Sequence, residues 1–267
     1  MRKGKGFTLI ELLVVTAVIV LLIAILIPVL RSARESAHRA VCMSNLRQLT
    51  LAWLAYADDH DSELVSGWTL DLILSPEVYK GWLGEAFMFP ESRSAILENP
   101  DKGTLWPYLM DEKIYRCPRG RAGHATTYAI VSAANGLLIE GTCLPKPRGL
   151  SLLQVPGKRV GKTVLRLTRL TDIISPTAAQ RAVFIDMGQT PFADAFRVNY
   201  LYPSWKAKMS CPPIHHSDGT TLSMADGHSE YWKWKGCETV EMPRTLWDSL
   251  VTHNGTYLYR SERLEGN

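Results

Sequence analysis

Closely spaced cysteine pairs, nucleotide loops and long basic runs are all missing from this sequence, and each absence removes a class of function. The 267 residues include five cysteines (Cys42, Cys117, Cys143, Cys211 and Cys237), but none forms a CxxC and none has the His/Cys spacing of a zinc module. No GxSxG, HExxH, P-loop or GxGxxG occurs in a usable context, and a hydrolase would need a nucleophile with an aligned base, so no enzyme is expected. No Lys/Arg run is long enough to follow a phosphate backbone. Three charges of the net +4 are Arg2, Lys3 and Lys5, and without them +1 remains, so no specific nucleic-acid partner is expected. There is no internal repeat and no low-complexity tract. The eight tryptophans are dispersed along the chain, which suits core filling better than a sugar-stacking platform.

Charge is scarcest in FTLIELLVVTAVIVLLIAILIPVL, residues 7–30, where Glu11 is the one charged side chain. A helix of that length measures about 36 Å, enough for a hydrocarbon core of about 30 Å. The basic residues before it place the N-terminus on the cytoplasmic side of an inner membrane and the rest outside the cytoplasm. The run is longer than the apolar region of a secretory signal, and Ile25-Leu26-Ile27-Pro28 offers no small-residue cleavage site. A plain signal anchor leaves Glu11 unexplained, because an intramembrane carboxylate is costly without a partner or a function.

The string Gly6-Phe7-Thr8-Leu9-Ile10-Glu11-Leu12 resembles the type IV prepilin cleavage site. The resemblance implies a prepilin peptidase that cuts after Gly6 and methylates the new amine of Phe7. It also implies that Glu11, fifth in the mature chain, pairs with the N-terminal ammonium of a neighbouring subunit. Two opposite charges in a low dielectric relieve each other's desolvation. Pro28 falls where pilins carry a helix-kinking proline.

Residues 31–59 contain neither Pro nor Gly. Cys42, Leu46, Leu49, Trp53 and Tyr56 recur at steps of four and three, an apolar stripe on one helical face. One helix is therefore expected from about Phe7 to Asp58, with its stripe against a head formed by residues 60–267, while Arg31, Arg34, Glu35, Arg39 and Arg47 mostly face away. Asp58, Asp59 and Asp61 oppose the helix dipole and mark its end. In the head, a short helix is expected at Trp106–Met110, strands at Thr126–Val131 and Ala182–Ile185, and a strand or short helix near Val164–Leu170. Residues 141–161 read as a loop. Thr220–Ala225 and His228–Trp234 flank Asp226-Gly227, a hairpin signal of the type I′ kind. The fold class is α+β: a transmembrane spine helix packed on a mainly antiparallel β head.

The run HHSDGTTLSMADGHSEYWKW places nine residues between His216 and Asp226-Gly227. This resembles a pilin-like subfamily of prepilin-type processing-associated proteins with a His…Asp-Gly motif, as do Cys42–Leu49, Trp106-Pro107-Tyr108-Leu109 and Cys117-Pro118. The densest polar cluster comprises His215, His216, Asp218, Asp226 and His228, with Asp186 as a further member. One reading is a metal site of His216, Asp226 and His228 for Ca²⁺ or another divalent ion. The other is structural: Asp-Gly serves the turn and His216 bonds to that loop. Disulfides Cys42–Cys117 and Cys211–Cys237 would leave Cys143 free, although spacing alone leaves connectivity open.

The leading expectation is a pseudopilin or minor pilin, partnered by the peptidase, other pilin subunits and an inner-membrane assembly platform. A type II secretion pseudopilus is favoured over a type IV surface pilus, because the large head suits a periplasmic component. The alternative is a membrane-tethered binding or metal-binding domain that borrows the leader for export.

Overall fold

A computed structural model describes residues 8–67, 81–87, 93–131, 134, 159–160, 163–164, 167–174, 177–188, 195–196 and 213–235. Gly6, Phe7, Cys143, Cys211, Cys237, Trp68 and Phe89 lie outside the described residues, and so does most of the expected 141–161 loop.

Helix α1 runs unbroken over Leu9–Asp59, 51 residues, or about 76 Å. Thr8 caps it through a reciprocal pair: the Thr8 hydroxyl accepts from the Glu11 amide at 3.3 Å, and Glu11 Oε2 accepts from the Thr8 amide at 2.8 Å. Pro28 lies within the helix, where its ring removes one backbone donor without ending the element. The helix stops at Asp59. Its C-cap is His60, and Asp61 and Ser62 then turn the chain with positive φ.

The two halves of α1 differ in what they touch. Apolar side chains from Leu9 to Leu30 are exposed, and this stretch is long and apolar enough to cross a membrane. From Glu35 onward one stripe is buried: Cys42, Leu46, Leu49 and Trp53 have no exposed surface, and Tyr56 packs half-buried beside them.

The head contributes short helices α2 (Arg93–Glu98) and α3 (Trp106–Leu109), with 3₁₀ turns between the longer pieces. Strands β1 (Tyr128–Val131), β4 (Ala182–Asp186), β5 (Ala195–Phe196), β6 (Gly219–Met224) and β7 (Ser229–Lys233) form one sheet in the order β5-β1-β4-β6-β7. The two-residue strands β2 (Arg159–Val160) and β3 (Thr163–Val164) pair separately. The neighbours β1-β4-β6-β7 pair antiparallel, and β5 joins the β1 edge in parallel.

Strand alternation sorts side chains to two faces. Tyr128, Ile130 and Phe184 pack with the α1 stripe and with Trp82, Phe87 and Tyr115, while Ala129, Val131, Ile185, Leu222 and Met224 form a second cluster. On β6 the Ser223 hydroxyl meets Thr50 of α1 at 2.6 Å. By the same alternation Asp186, two residues beyond Phe184, falls on the helix-facing side.

The β6–β7 hairpin departs from the expected type I′ turn. Only Gly227 has positive φ, at 91°, and Asp226 does not. The Gly227 amide bonds Met224 O at 2.9 Å and the Met224 amide bonds His228 O at 2.8 Å. Three residues therefore bridge the strands, with a glycine bulge closing the turn. Asp226 is spared a left-handed conformation that costs any residue with a Cβ.

Candidate functional site

Four separate elements deliver side chains to one point between α1 and the sheet. Cys42 comes from the buried stripe of α1, and Asp186 ends β4. Cys117 follows the 3₁₀ turn Glu112–Tyr115, and His216 sits in the turn before β6. All four are buried, and their candidate ligand atoms lie within 4.8 Å of one another.

His216 is the hub. Its Nε2 stands 3.2 Å from Asp186 Oδ2, 3.2 Å from Cys117 Sγ and 3.3 Å from Cys42 Sγ. On the other side of the ring, Nδ1 meets Glu35 Oε1 at 2.9 Å. Arg119 Nη1 holds the second Glu35 oxygen at 2.7 Å. Glu35 was expected among residues facing away from the head. Instead it is buried, because it lies seven residues, two helical turns, before Cys42 on the same face. The Cys42 and Cys117 sulfurs, the pair expected as a disulfide, stand 2.6 Å apart.

The backbone around these groups is tightly specified. Ser217 and Asp218 both take positive φ directly after His216, a sparsely populated conformation for residues other than glycine. Tyr231 donates its hydroxyl hydrogen to the carbonyl of His216 at 2.8 Å. Cys117 donates its amide to Thr127 Oγ1 at 2.7 Å, and the Arg119 amide points at Cys117 Sγ at 3.3 Å. Asp186 Oδ1 accepts the Gly188 amide at 2.9 Å, which turns Oδ2 toward the histidines. Gly188 has φ of 70°, and a Cβ there would lie 2.7 Å from the His215 ring.

His215 Nε2 is 2.9 Å from Asp186 Oδ2. Burial pulls the pKa of His215 down, but the Asp186 charge outweighs it and raises the group to about 9. For His216 burial again acts downward, and bonds to Asp186 and Cys117 carry it up to about 10. Burial opposes ionisation of Asp186, yet the two histidines hold its carboxyl below the usual carboxylate range. The Cys42 contact, followed by burial, pushes the Cys117 thiol well up.

The structure thus brings together Cys42, Cys117, His216 and Asp186 but keeps Asp226 and His228 apart from them. His216 precedes β6 and the Asp226-Gly227 turn follows it, so six strand residues, about 20 Å, intervene. Asp226 and His228 are exposed and pair with each other at 2.5 Å. The expected His216–Asp226–His228 ligand set is therefore not assembled; Asp226-Gly227 builds the turn, while His216 faces the spine helix. A search for CxxC-like spacing misses this centre, since its members are 30 to 174 residues apart in pairs with His216 and Cys117. The signal that was available is Cys42 on the buried stripe, with Glu35 two turns earlier on the same face.

At the other end of the chain, residues 1–27 match the prokaryotic N-terminal methylation motif. Residues 31–94 match a family described as a protein of unknown function, DUF1559. Over 62 residues the chain is 45% identical to the type IV wide pilus major component PilA4 of Thermus thermophilus, a stretch covering 23% of this chain and 47% of that protein. The chain thus spans about half the length of that curated relative. No solved structure matches the chain. With the methylation motif at its start, the long apolar helix behind it and an antiparallel sheet packed on that helix, the chain is similar to the type IV pilins, a likeness carried by matches within its N-terminal part.

Proposed function

We propose that the chain is a non-enzymatic subunit of a type IV pilus-like or secretion pseudopilus filament, cut after Gly6, methylated on Phe7 and held in the membrane by α1 until assembly. The observation that carries this reading is the contrast within α1. Its front half exposes Leu, Ile and Val on all sides, whereas its back half is fixed in the head. Each fully buried side chain of this type is worth about 1.5–3 kcal/mol, so the front half needs either lipid or copies of itself. A filament supplies the second environment once a subunit leaves the first.

Glu11 fits the same scheme. Its bonds to the Thr8 amide and hydroxyl both fall on Oε2, so the carboxylate keeps a second oxygen to meet the amine of a neighbouring subunit. The peptidase, sister subunits and an inner-membrane platform are the partners this implies, with the head outside the cytoplasm. The size of the head favours a minor pseudopilus component, and filaments sheared from the cell surface would favour a pilus instead. The test is Glu11→Ala, with filament yield and head unfolding followed together. The expected result is a drop in yield of about tenfold, equivalent to about 1.4 kcal/mol per contact, with head unfolding unchanged. Undiminished filaments would contradict the role of Glu11.

The buried cysteine–histidine centre favours a second reading, in which the head is a membrane-tethered metal-binding domain exported by a prepilin leader. Metal-loaded protein that never polymerises in cells would support that reading over the first.

A further inference from the structure

We propose that Cys42, Cys117, Asp186 and His216 form a structural zinc site that fastens the head to the spine helix. The proposal is independent of whether the chain polymerises.

The ligand chemistry comes first. Two sulfurs, an imidazole nitrogen and a carboxylate oxygen form a four-donor set suited to Zn²⁺, and a closed, buried site with four protein ligands is the structural rather than the catalytic type. With metal bonds of about 2.0–2.3 Å, the edges of a tetrahedral site run from about 3.3 Å between light atoms to about 3.8 Å between sulfurs. The three edges from His216 Nε2, at 3.2, 3.2 and 3.3 Å, fall close to that range. The sulfurs, at 2.6 Å, separate by about 1 Å when an ion enters.

Hydrogen-bond accounting points the same way. Nδ1 of His216 faces a Glu35 oxygen, so that nitrogen carries the hydrogen and Nε2 is directed inward. What Nε2 meets there is a carboxylate oxygen and two sulfurs, a convergence of lone pairs. His215 Nε2 also meets Asp186 Oδ2, at 2.9 Å, but a proton on His216 Nε2 serves one neighbour at a time, whereas a cation at the centre is shared by all four ligands. Glu35 on the far nitrogen is the arrangement that orients a metal-bound imidazole, and Arg119 neutralises Glu35 in turn.

The Cys117 turn adds an independent feature. In Cys117-Pro118-Arg119-Gly120 the Gly120 amide returns to Cys117 O at 2.8 Å, and the Arg119 amide is aimed at the sulfur itself. A backbone donor directed at sulfur would stabilise the thiolate that a bound metal creates, against the burial and the Cys42 contact that keep the thiol protonated without one. A Cys42–Cys117 disulfide would account for the sulfur pair but for neither the imidazole nor the carboxylate. Because the four ligands come from four separate segments, metal binding here contributes directly to folding.

The test uses the full chain purified from membranes in detergent, with zinc content measured by mass spectrometry and cobalt used as a spectroscopic replacement. The expected result is roughly one zinc per chain, with a thiolate-to-cobalt charge-transfer band and the visible bands of tetrahedral cobalt. Cys42→Ser and His216→Ala should each lose the metal, and His228→Ala should keep it. Glu35→Gln should retain the site with affinity weakened about 10–100-fold. Chelation should lower the unfolding temperature by roughly 5–10 °C and open Cys42 and Cys117 to alkylation, read by peptide mapping. The wild-type measurement stands even where a variant fails to fold. Wild-type protein without zinc, with Cys42 and Cys117 either disulfide-linked or simply protonated, would overturn the proposal. So would metal that persists in Cys42→Ser and His216→Ala.

Discussion

The front and back halves of α1 share one continuous backbone but obey opposite rules. In residues 9–30 nearly every position is apolar and exposed, so no face is distinguished. In residues 35–57 polar and apolar positions alternate around the helix, and the stripe of Cys42, Leu46, Leu49 and Trp53 is sealed against the sheet. A helix that is apolar all round is specified by its solvent, whereas a striped one is specified by a particular partner surface. The front half should therefore tolerate changes of side chain that the back half does not.

The largest break in that contrast should come from Trp53→Ala. The side chain is fully buried between α1 and the aromatic core, so head stability should fall by about 3–5 kcal/mol in denaturant unfolding. Glu35→Gln comes next. Loss of its charge weakens its hold on His216 and Arg119 in a partly dry setting, and a stability loss of about 2 kcal/mol is expected in the same assay. Gly227→Ala forces a Cβ into φ of 91° and should cost about 1–2 kcal/mol at the hairpin, seen as faster amide exchange in β6 and β7. Leu21→Ala, in the exposed front half, should change head stability by less than about 0.5 kcal/mol. A Leu21→Ala loss as large as that of Trp53→Ala would erase the distinction between the halves.

The sequence made the spine legible because helical periodicity is a local signal. The expected helix from Phe7 to Asp58 compares with Leu9–Asp59, and the three aspartates do mark its end. Ala182–Ile185 appears as β4, extended by Asp186, and Trp106–Met110 as α3, shorter by one residue. The hairpin was also legible, since Asp226-Gly227 interrupts two alternating segments, but its turn type was not. Deciding between two positive φ values and one depends on strand register, which the dipeptide does not encode. The buried centre was half legible. Cys42 and Cys117 are expected together as a disulfide, and Asp186 is expected in one polar cluster with His215 and His216, as the structure has it, but the expected metal ligands His216, Asp226 and His228 all lie within twelve residues along the hairpin. The strand turns away from His216, and the chain returns Asp186 and Glu35 to it from 30 and 181 residues off. Helical periodicity puts Glu35 on the face of Cys42, but no local pattern says that His216 comes back to meet it.

The most direct test of the pilin-like account is mass spectrometry of the mature N-terminus of chain recovered from membranes. A chain that begins at an N-methylated Phe7 is the predicted result. A chain that retains Met1, or one cut at Ala24 or later, would contradict it.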